Sequence, residues 1–268
     1  MTGTPPKTGY APVNGLNLYY EIHGAGHPLV LLHGAFMTIE ALGDLVPSLA
    51  RTRQIVAPEL QGHGHTADID RPLNYRQMAD DVAALIRYLG IDQADVFGYS
   101  MGGAAAIQLA IRHPELVRKL VAASASYNSD GFHPGVLEAI AKLTPDVFIG
   151  TPPHDAYLRA APNPGDFPKL VEKITHFDGE VQDWSADDIR GIKAPTMIVI
   201  GDSDGAQPEH AVEMFRLRGG GVMGDLAGLP PARLAVFPGT THVGVIDRVE
   251  WLSSMVPEFL DAPMPEAG

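Results

Sequence analysis

Residues 94–110 read Ala94-Asp-Val-Phe-Gly98-Tyr-Ser100-Met-Gly102-Gly-Ala-Ala-Ala-Ile-Gln-Leu-Ala110. A short apolar run, typical of a buried strand, leads directly into a Gly-x-Ser-x-Gly turn, and a pattern of small apolar residues typical of a helix follows. Such a tight turn predicts a strained backbone at Ser100, with glycine two residues to either side because larger side chains would collide there. We therefore expect the Ser100 hydroxyl to stand above a sheet; a capping serine in an ordinary βα loop is the alternative.

After a lead-in of about eight flexible residues, residues 16–23 alternate with the period of a strand. Similar buried strands then recur along the chain and alternate with amphipathic helical patterns. This alternation predicts right-handed βαβ crossovers and an α/β fold with a doubly wound, mostly parallel sheet. The predicted strands span residues 16–23, 28–32, 54–58, 94–98, 116–123, 196–200 and 233–237, and the predicted helices span 75–89, 104–112, 210–218 and 249–260.

The stretch 126–190 lacks any buried-strand pattern. It contains helical fragments at 136–143, 168–177 and 186–192, which the proline-rich segments 151–153 and 161–165 separate. We therefore predict a core made of residues 1–125 and 191–268, with residues 126–190 inserted as a small helical cap.

Composition excludes several classes of function. The 268 residues include no cysteine, and 19 Lys and Arg stand against 32 Asp and Glu, a formal net charge of −13. A thiol nucleophile, a thiolate zinc site and an iron–sulfur cluster are excluded, and no basic cluster for binding nucleic acid occurs. The polar N-terminus and the lack of a long apolar run predict a globular cytoplasmic protein without membrane contacts. A homo-oligomer stays open.

A serine hydroxyl needs a base to become a nucleophile, and the base needs an orienting carboxylate. His242 follows the strand predicted at 233–237, and Asp202 and Asp204 follow the strand predicted at 196–200. The carboxyl ends of parallel strands form the ligand-binding edge of an open α/β sheet, so these side chains are expected to meet Ser100 there. Either aspartate could orient His242, although Asp202 suits a turn in which its side chain accepts from backbone amides.

With these motifs, the chain resembles the α/β-hydrolase fold superfamily, in the branch of single-domain serine esterases, haloperoxidase-like enzymes and lactonases. Two further segments carry the resemblance, 33–36 (His-Gly-Ala-Phe) and 58–64 (Pro-Glu-Leu-Gln-Gly-His-Gly). The resemblance implies a triad of Ser100, Asp204 and His242, and it favours Asp204 over Asp202. It also implies an oxyanion hole made by the backbone N–H groups of Ala35 and Met101.

Other polar and aromatic side chains allow two interpretations each. His63 and His65 could bind a metal with Asp68, but the matching segment of the family is a structural turn, and no metal is expected. His33 is interpreted as part of the turn that shapes the oxyanion hole. Aromatic residues of the insertion could line an apolar pocket or form the small core of the insertion: Phe132, Phe148, Tyr157, Phe167 and Trp184. The predicted substrate pocket consists of Phe36, Tyr127, Phe132, Phe148 and Trp184.

These observations predict a cofactor-free serine hydrolase that cleaves carboxylic esters, lactones included, of apolar small molecules. The same triad also supports carbon–carbon bond hydrolysis, perhydrolysis and acyl transfer, which stay open as alternatives. Haloalkane dehalogenases and epoxide hydrolases of this fold use aspartate where this chain has Ser100, so both activities are disfavoured. A binding module without catalysis is the alternative from another class.

Overall fold

In the computed structural model, which describes residues 5–177 and 183–264, eight strands form one sheet in the order β1-β2-β4-β3-β5-β6-β7-β8. The β1–β2 and β2–β4 pairs are antiparallel and all other pairs are parallel, which confirms the mostly parallel sheet. The strands are β1 (Lys7–Val13), β2 (Leu16–His23), β3 (His27–Leu32), β4 (Arg53–Pro58), β5 (Ala94–Tyr99), β6 (Val117–Ala123), β7 (Thr196–Ser203) and β8 (Ala232–Thr241).

Helices cover both faces of this sheet. Along β3, Val30 and Leu32 point into one apolar cluster and Leu29 and Leu31 into the other, and all four side chains are fully buried. A central strand that is buried on both faces explains the uninterrupted apolar run in the sequence. On the Val30 side lie α2 (Tyr75–Tyr88), α3 (Met101–Arg112) and α8 (Pro208–Leu217), and on the other side lie α1 (Leu45–Leu49) and α10 (Val249–Asp261).

The N-terminal segment differs from the prediction of a flexible lead-in. Strand β1 already begins at Lys7 and pairs with β2 through a two-residue turn at Asn14 and Gly15. Both turn residues have positive φ, 47° and 84°, as the tight hairpin turn requires. The Asn-Gly dipeptide was a signal of this hairpin that the strand assignments overlooked.

Among the described residues between β6 and β7, the stretch for which a helical cap is predicted, four α-helices occur: α4 (Val136–Ala141), α5 (Pro152–Ala160), α6 (Phe167–Thr175) and α7 (Ala186–Gly191). The sequence interpretation missed α5 because it took Thr151-Pro-Pro153 as a separator. Pro152 and Pro153 instead form the first turn of α5, where proline costs no hydrogen bond and its fixed φ suits the helix. A short helix, α9 (Gly224–Ala227), precedes β8.

An ionic contact joins α6 to the loop that follows β4. The Lys173 ammonium donates to Asp68 Oδ1 at 2.8 Å and to the carbonyls of Ile69 and Arg71 at 2.8 and 2.7 Å, and Lys169 lies 2.7 Å from Asp68 Oδ2. Burial alone would raise the pKa of Asp68, but the two lysines and a hydrogen bond from Gln61 outweigh burial and leave that pKa below its ordinary value.

In the described part of the chain, no helix is both long and apolar enough to cross a bilayer.

Candidate active site

Three parallel strands end at the same edge of the sheet, each directly before a polar side chain. Ser100 follows β5, Asp204 follows β7 and His242 follows β8. The strands β5, β6, β7 and β8 are neighbours in the sheet, so residues that lie far apart in the sequence meet within a few ångströms. This edge is where ligands bind in open α/β sheets.

The three side chains form a continuous hydrogen-bonded chain. Ser100 Oγ lies 2.9 Å from His242 Nε2, and His242 Nδ1 lies 2.6 Å from Asp204 Oδ1. The Asp204 side chain is fully buried, whereas that of His242 is 35% exposed. Such a chain can hold the imidazole with Nδ1 protonated and leave Nε2 free to accept the serine proton.

The turn at Ser100 has the strained backbone that its sequence predicts. Ser100 adopts φ 55° and ψ −119°, a conformation that residues with a side chain rarely occupy. A Cβ atom added at Gly98 would lie 2.1 Å from the carbonyl oxygen of Gly102, and one added at Gly102 would lie 2.5 Å from that of His33. Both glycines are therefore required by close backbone contacts, and α3 begins immediately after the serine.

Asp204 is held as a carboxylate by several donors. Burial raises its pKa, but the hydrogen bond and charge of His242, together with donors from Ser124 and the Ala206 N–H, bring it below its ordinary value. Asp202 has the turn role that its position suggested. Its carboxylate accepts from the backbone N–H groups of Gly239 and Thr240 at 2.8 and 3.1 Å.

On the other side of Ser100, the backbone at Gly34 and Ala35 is oriented by His33. The Leu60 N–H donates to His33 Nε2 at 3.1 Å, so the ring proton is on Nδ1, which donates to the Gly34 carbonyl at 2.7 Å. Burial lowers the pKa of His33 and keeps the ring neutral. Because the Gly34–Ala35 peptide is trans, its N–H points away from the carbonyl that His33 holds.

A cavity of about 1460 Å³ opens above these residues. Ser100 and His242 form part of its floor, and Ala35 and Met101, whose N–H groups are the predicted oxyanion donors, also line it. Helices α4, α5 and α6 supply much of the remaining wall. This volume is above the range of about 300–1,000 Å³ that is typical of small-molecule pockets, so a small molecule would fill only part of it.

The aromatic side chains predicted for a substrate pocket divide into two groups. Phe36 and Phe132 line the cavity. Phe148 is outside the lining and packs against Phe36, with ring centroids 4.5 Å apart, and against Phe167 at the start of α6. Phe148 therefore supports the wall from behind.

Tyr127 and Trp184 also lie outside the cavity lining. The Tyr127 ring is 3% exposed, stacks on His210 and donates its hydroxyl to Glu213 at 2.8 Å. Trp184 is half-buried and meets Tyr75 edge to face at 5.9 Å. Both aromatics belong to local packing rather than to the cavity surface.

His63 and His65 turn toward different partners. His63 Nδ1 donates to the Gln61 carbonyl at 3.0 Å, whereas His65 Nδ1 lies 2.8 Å from the Glu59 carboxylate. Burial lowers the pKa of His63 to about 3, so this ring is neutral. Within the described ranges, no group of three or more His, Asp or Glu side chains is arranged to hold a metal ion.

Two hydroxyl groups that the sequence analysis missed contact this site. Ser124, directly after β6, donates to Asp204 Oδ2 at 2.6 Å, and Tyr99 donates to the backbone carbonyl of His242 at 2.9 Å. Strand β6 lies between the strands that carry Ser100 and Asp204. The rule that pointed to the other strand ends would have found Ser124 as well.

A second serine–histidine pair occurs nearby, with a different pattern of hydrogen bonds. Ser126 Oγ lies 3.0 Å from His210 Nε2, but its hydroxyl donates to the Asn128 carbonyl at 2.5 Å, and His210 Nε2 also accepts from the Tyr127 N–H. Ser126 is fully buried. These contacts organise the chain where it leaves the sheet for the helices.

Known proteins are similar to this chain in sequence and in architecture. A family model described as the alpha/beta hydrolase fold matches residues 27–187. The chain is 39% identical to the 2-hydroxymuconate semialdehyde hydrolase of Pseudomonas sp. (strain CF600) over 111 residues, which are 40% of this chain and 39% of that protein. It therefore spans about two fifths of that relative's length.

Another relative matches along nearly the whole chain. The 2-hydroxy-6-oxo-2,4-heptadienoate hydrolase of Pseudomonas putida is 28% identical over 268 residues, with 89% of this chain and 91% of that protein covered. Among solved structures, a serine hydrolase involved in carbazole degradation superposes with a TM-score of 0.76 at 22% identity, covering 96% of this chain and 99% of that one. That structural likeness shows the fold.

Proposed function

Because this chain belongs to the α/β-hydrolase fold family, we propose that it is a serine hydrolase that cleaves carboxylic esters, lactones included, of apolar small molecules through an acyl-enzyme intermediate. The observation that carries the proposal is the 2.9 Å contact between Ser100 Oγ and His242 Nε2 on the floor of the cavity. The 2.6 Å contact between His242 and Asp204 supports it by fixing the orientation of the imidazole.

In the proposed reaction, His242 accepts the Ser100 proton as the serine oxygen attacks the ester carbonyl. The backbone N–H groups of Ala35 and Met101 stabilise the oxyanion that develops, each by about 3–4 kcal/mol. His242 then gives its proton to the departing alcohol, and a water molecule activated by the same ring hydrolyses the acyl-serine. Asp204 stays ionised throughout and stabilises the imidazolium.

The serine nucleophile favours substrates with a carbonyl carbon. Attack on a carbonyl gives an acyl-serine ester, which water can cleave with the assistance of the same histidine. Attack on an alkyl carbon would leave a serine ether, which the triad cannot hydrolyse. The identity of Ser100 therefore argues against epoxide and haloalkane chemistry.

Carbon–carbon bond hydrolysis is the second candidate. It is favoured by the match along nearly the whole chain to a 2-hydroxy-6-oxo-2,4-heptadienoate hydrolase. Ester and dienoate substrates assayed side by side separate the two candidates. Perhydrolysis and acyl transfer are tested with the same esters, by adding hydrogen peroxide or an alcohol as the acceptor.

Replacement of the nucleophile tests the proposal directly. We expect Ser100→Ala to lose turnover of p-nitrophenyl esters by about 10⁴-fold or more while the protein stays folded, because no other hydroxyl lies against His242 Nε2 in the described structure. Circular dichroism checks the fold. Unchanged turnover would place the nucleophile elsewhere.

Covalent labelling provides a second test, with a matched control in the same protein. A fluorophosphonate is expected to modify Ser100, and the label should persist in the Ser126→Ala variant and disappear in Ser100→Ala. A label on Ser126, or none on either serine, would contradict the proposal. The complete lack of an adduct would favour a binding module.

A further inference from the structure

The charged side chains around the cavity are unevenly distributed. Among the described residues that line it, Asp, Glu, Lys and Arg contribute four charges: Glu40, Glu138 and Asp247 are acidic, and Arg159 is basic. These four sum to 1 − 3 = −2, on a chain whose formal net charge is −13. The residues outside the described ranges include no Lys or Arg. A negatively charged ligand therefore meets a repulsive field at the cavity.

The arginine that lines the cavity is already engaged. Arg159 Nη2 lies 3.5 Å from the Glu40 carboxylate, and the two side chains are 61% and 77% exposed. Its guanidinium is thus both paired and hydrated at the rim. Glu138 and Asp247 have no ion-pair partner within 4.0 Å in the described structure, so they contribute uncompensated negative charge.

The inner wall is apolar. Apolar side chains line the cavity beside Ser100: Phe132, Val136, Ile140, Ala156 and Ile174. A carboxylate that enters this space loses hydration, and Arg159, the cation in the described lining, is already paired with Glu40, so binding is disfavoured. An uncharged alkyl or aryl group instead gains from the burial of apolar surface.

From this distribution we infer that the cavity selects uncharged, apolar substrates and rejects substrates of the same shape that carry a carboxylate. The inference rests on the proposed ester hydrolysis and names its substrate class. It also argues against an activity whose substrate is a dienoate or another carboxylate. The same serine, histidine and aspartate would support either reaction, so the cavity and not the triad makes the distinction.

Three p-nitrophenyl esters of equal chain length test the inference: the hexanoate, the half-ester of adipic acid and the corresponding adipic monoamide. At low ionic strength and pH 8, above the ordinary range of histidine pKa values, we expect kcat/KM for the adipate half-ester to be about 100-fold or more below that for the hexanoate. The kcat/KM for the monoamide should lie between these two values, because its terminal amide is polar but carries no charge.

The outcomes distinguish this inference from the proposed ester hydrolysis on which it rests. Hydrolysis of the hexanoate with strong rejection of the half-ester supports both. Equal turnover of the two, within about threefold, or a preference for the half-ester would overturn the inference and leave the serine hydrolase standing. No turnover of any of the three esters would remove the proposed function, and the inference with it.

A pair of charge-reversal variants tests whether the cavity itself is the cause. Glu138→Lys places a cation at the lining. The kcat/KM for the hexanoate, divided by that for the adipate half-ester, should therefore fall by about fivefold or more. Glu258→Lys changes the net charge of the protein equally, on α10 and outside the cavity lining, and should alter the ratio by less than about twofold. Equal effects of both variants would assign the selectivity to the overall charge and contradict the inference.

Discussion

The helix that follows Ser100 and the helices that cover it differ in how they are held. Ten of the twelve residues of α3 are buried, and the turn before it is enclosed by backbone contacts at Gly98 and Gly102. Helix α4, which lines the cavity, buries none of its residues, and α5 buries two of nine. The turn at Ser100 is thus fixed by close packing, whereas α4 and α5 are mostly exposed and can change at little cost to stability. Helix α6 lies between these extremes, with four of its nine residues buried.

Substitution of one glycine in each region should have opposite effects. A Cβ atom at Gly98 would lie 2.1 Å from backbone, so Gly98→Ala is expected to cost about 3 kcal/mol or more of unfolding free energy, and to abolish activity. Gly165, between α5 and α6, has nothing within 4 Å of such an atom and no positive φ, so Gly165→Ala should stabilise by about 0.5 kcal/mol.

Urea unfolding of the two purified variants measures this difference. If Gly98→Ala expresses poorly, soluble yield beside that of Gly165→Ala provides the measurement. Similar unfolding free energies for the two variants would show that the turn at Ser100 tolerates a side chain, and the contrast between the two regions would fail.

The lysine pair on α6 tests how the cap is attached. Lys173 is 17% exposed and contacts three acceptors, so Lys173→Met should cost about 2 kcal/mol and raise KM more than it lowers kcat. Lys169 is 46% exposed, and Lys169→Met should cost less than about 1 kcal/mol. Limited proteolysis should cut the Lys173 variant first within residues 126–190.

This contact also predicts a dependence on pH. The pKa of Asp68 is lowered in the folded protein, so its ionic stabilisation is present above about pH 4, the unfolded value, and is lost as the pH falls through the folded pKa. The difference in unfolding free energy between wild type and Lys173→Met should therefore shrink below about pH 4. A constant difference down to pH 2 would show that the lysine acts through packing alone.

A smaller effect is expected at Ser124, where backbone strain and a functional contact coincide. Ser124 has φ 51° and donates to Asp204 at 2.6 Å. Glycine would relieve the strain, so Ser124→Gly should be about 1 kcal/mol more stable than Ser124→Ala. Both variants lack the hydroxyl, and kcat should fall about tenfold in each.

The comparison of the two variants separates this role from a merely structural one. Their unfolding free energies should differ by about 1 kcal/mol while their kcat values agree, because both lack the hydroxyl that contacts Asp204. Activity that follows stability across the two variants would show that Ser124 serves packing only.

Much of the sheet could be predicted because its strands are buried on both faces and therefore appear as continuous apolar runs. Strand β1 was missed because it lies at the edge of the sheet and has no continuous apolar run, and because the turn signal at Asn14 and Gly15 was overlooked. Helix α5 was missed because prolines at a helix start resemble a break. Only some of the aromatic residues predicted for the substrate pocket line the cavity. Tyr127, Phe148 and Trp184 pack against other side chains instead.

By itself, the sequence determined the strained turn at Ser100 and the strand ends that carry the polar side chains, because both depend on local backbone geometry and on apolar runs along the chain. Only the tertiary structure decided between Asp202 and Asp204, brought the Ser124 hydroxyl against the carboxylate and placed three acids and one paired arginine around the cavity. These features depend on which residues meet across the sheet and across the cap, and residue spacing along the chain carries no information about such distances.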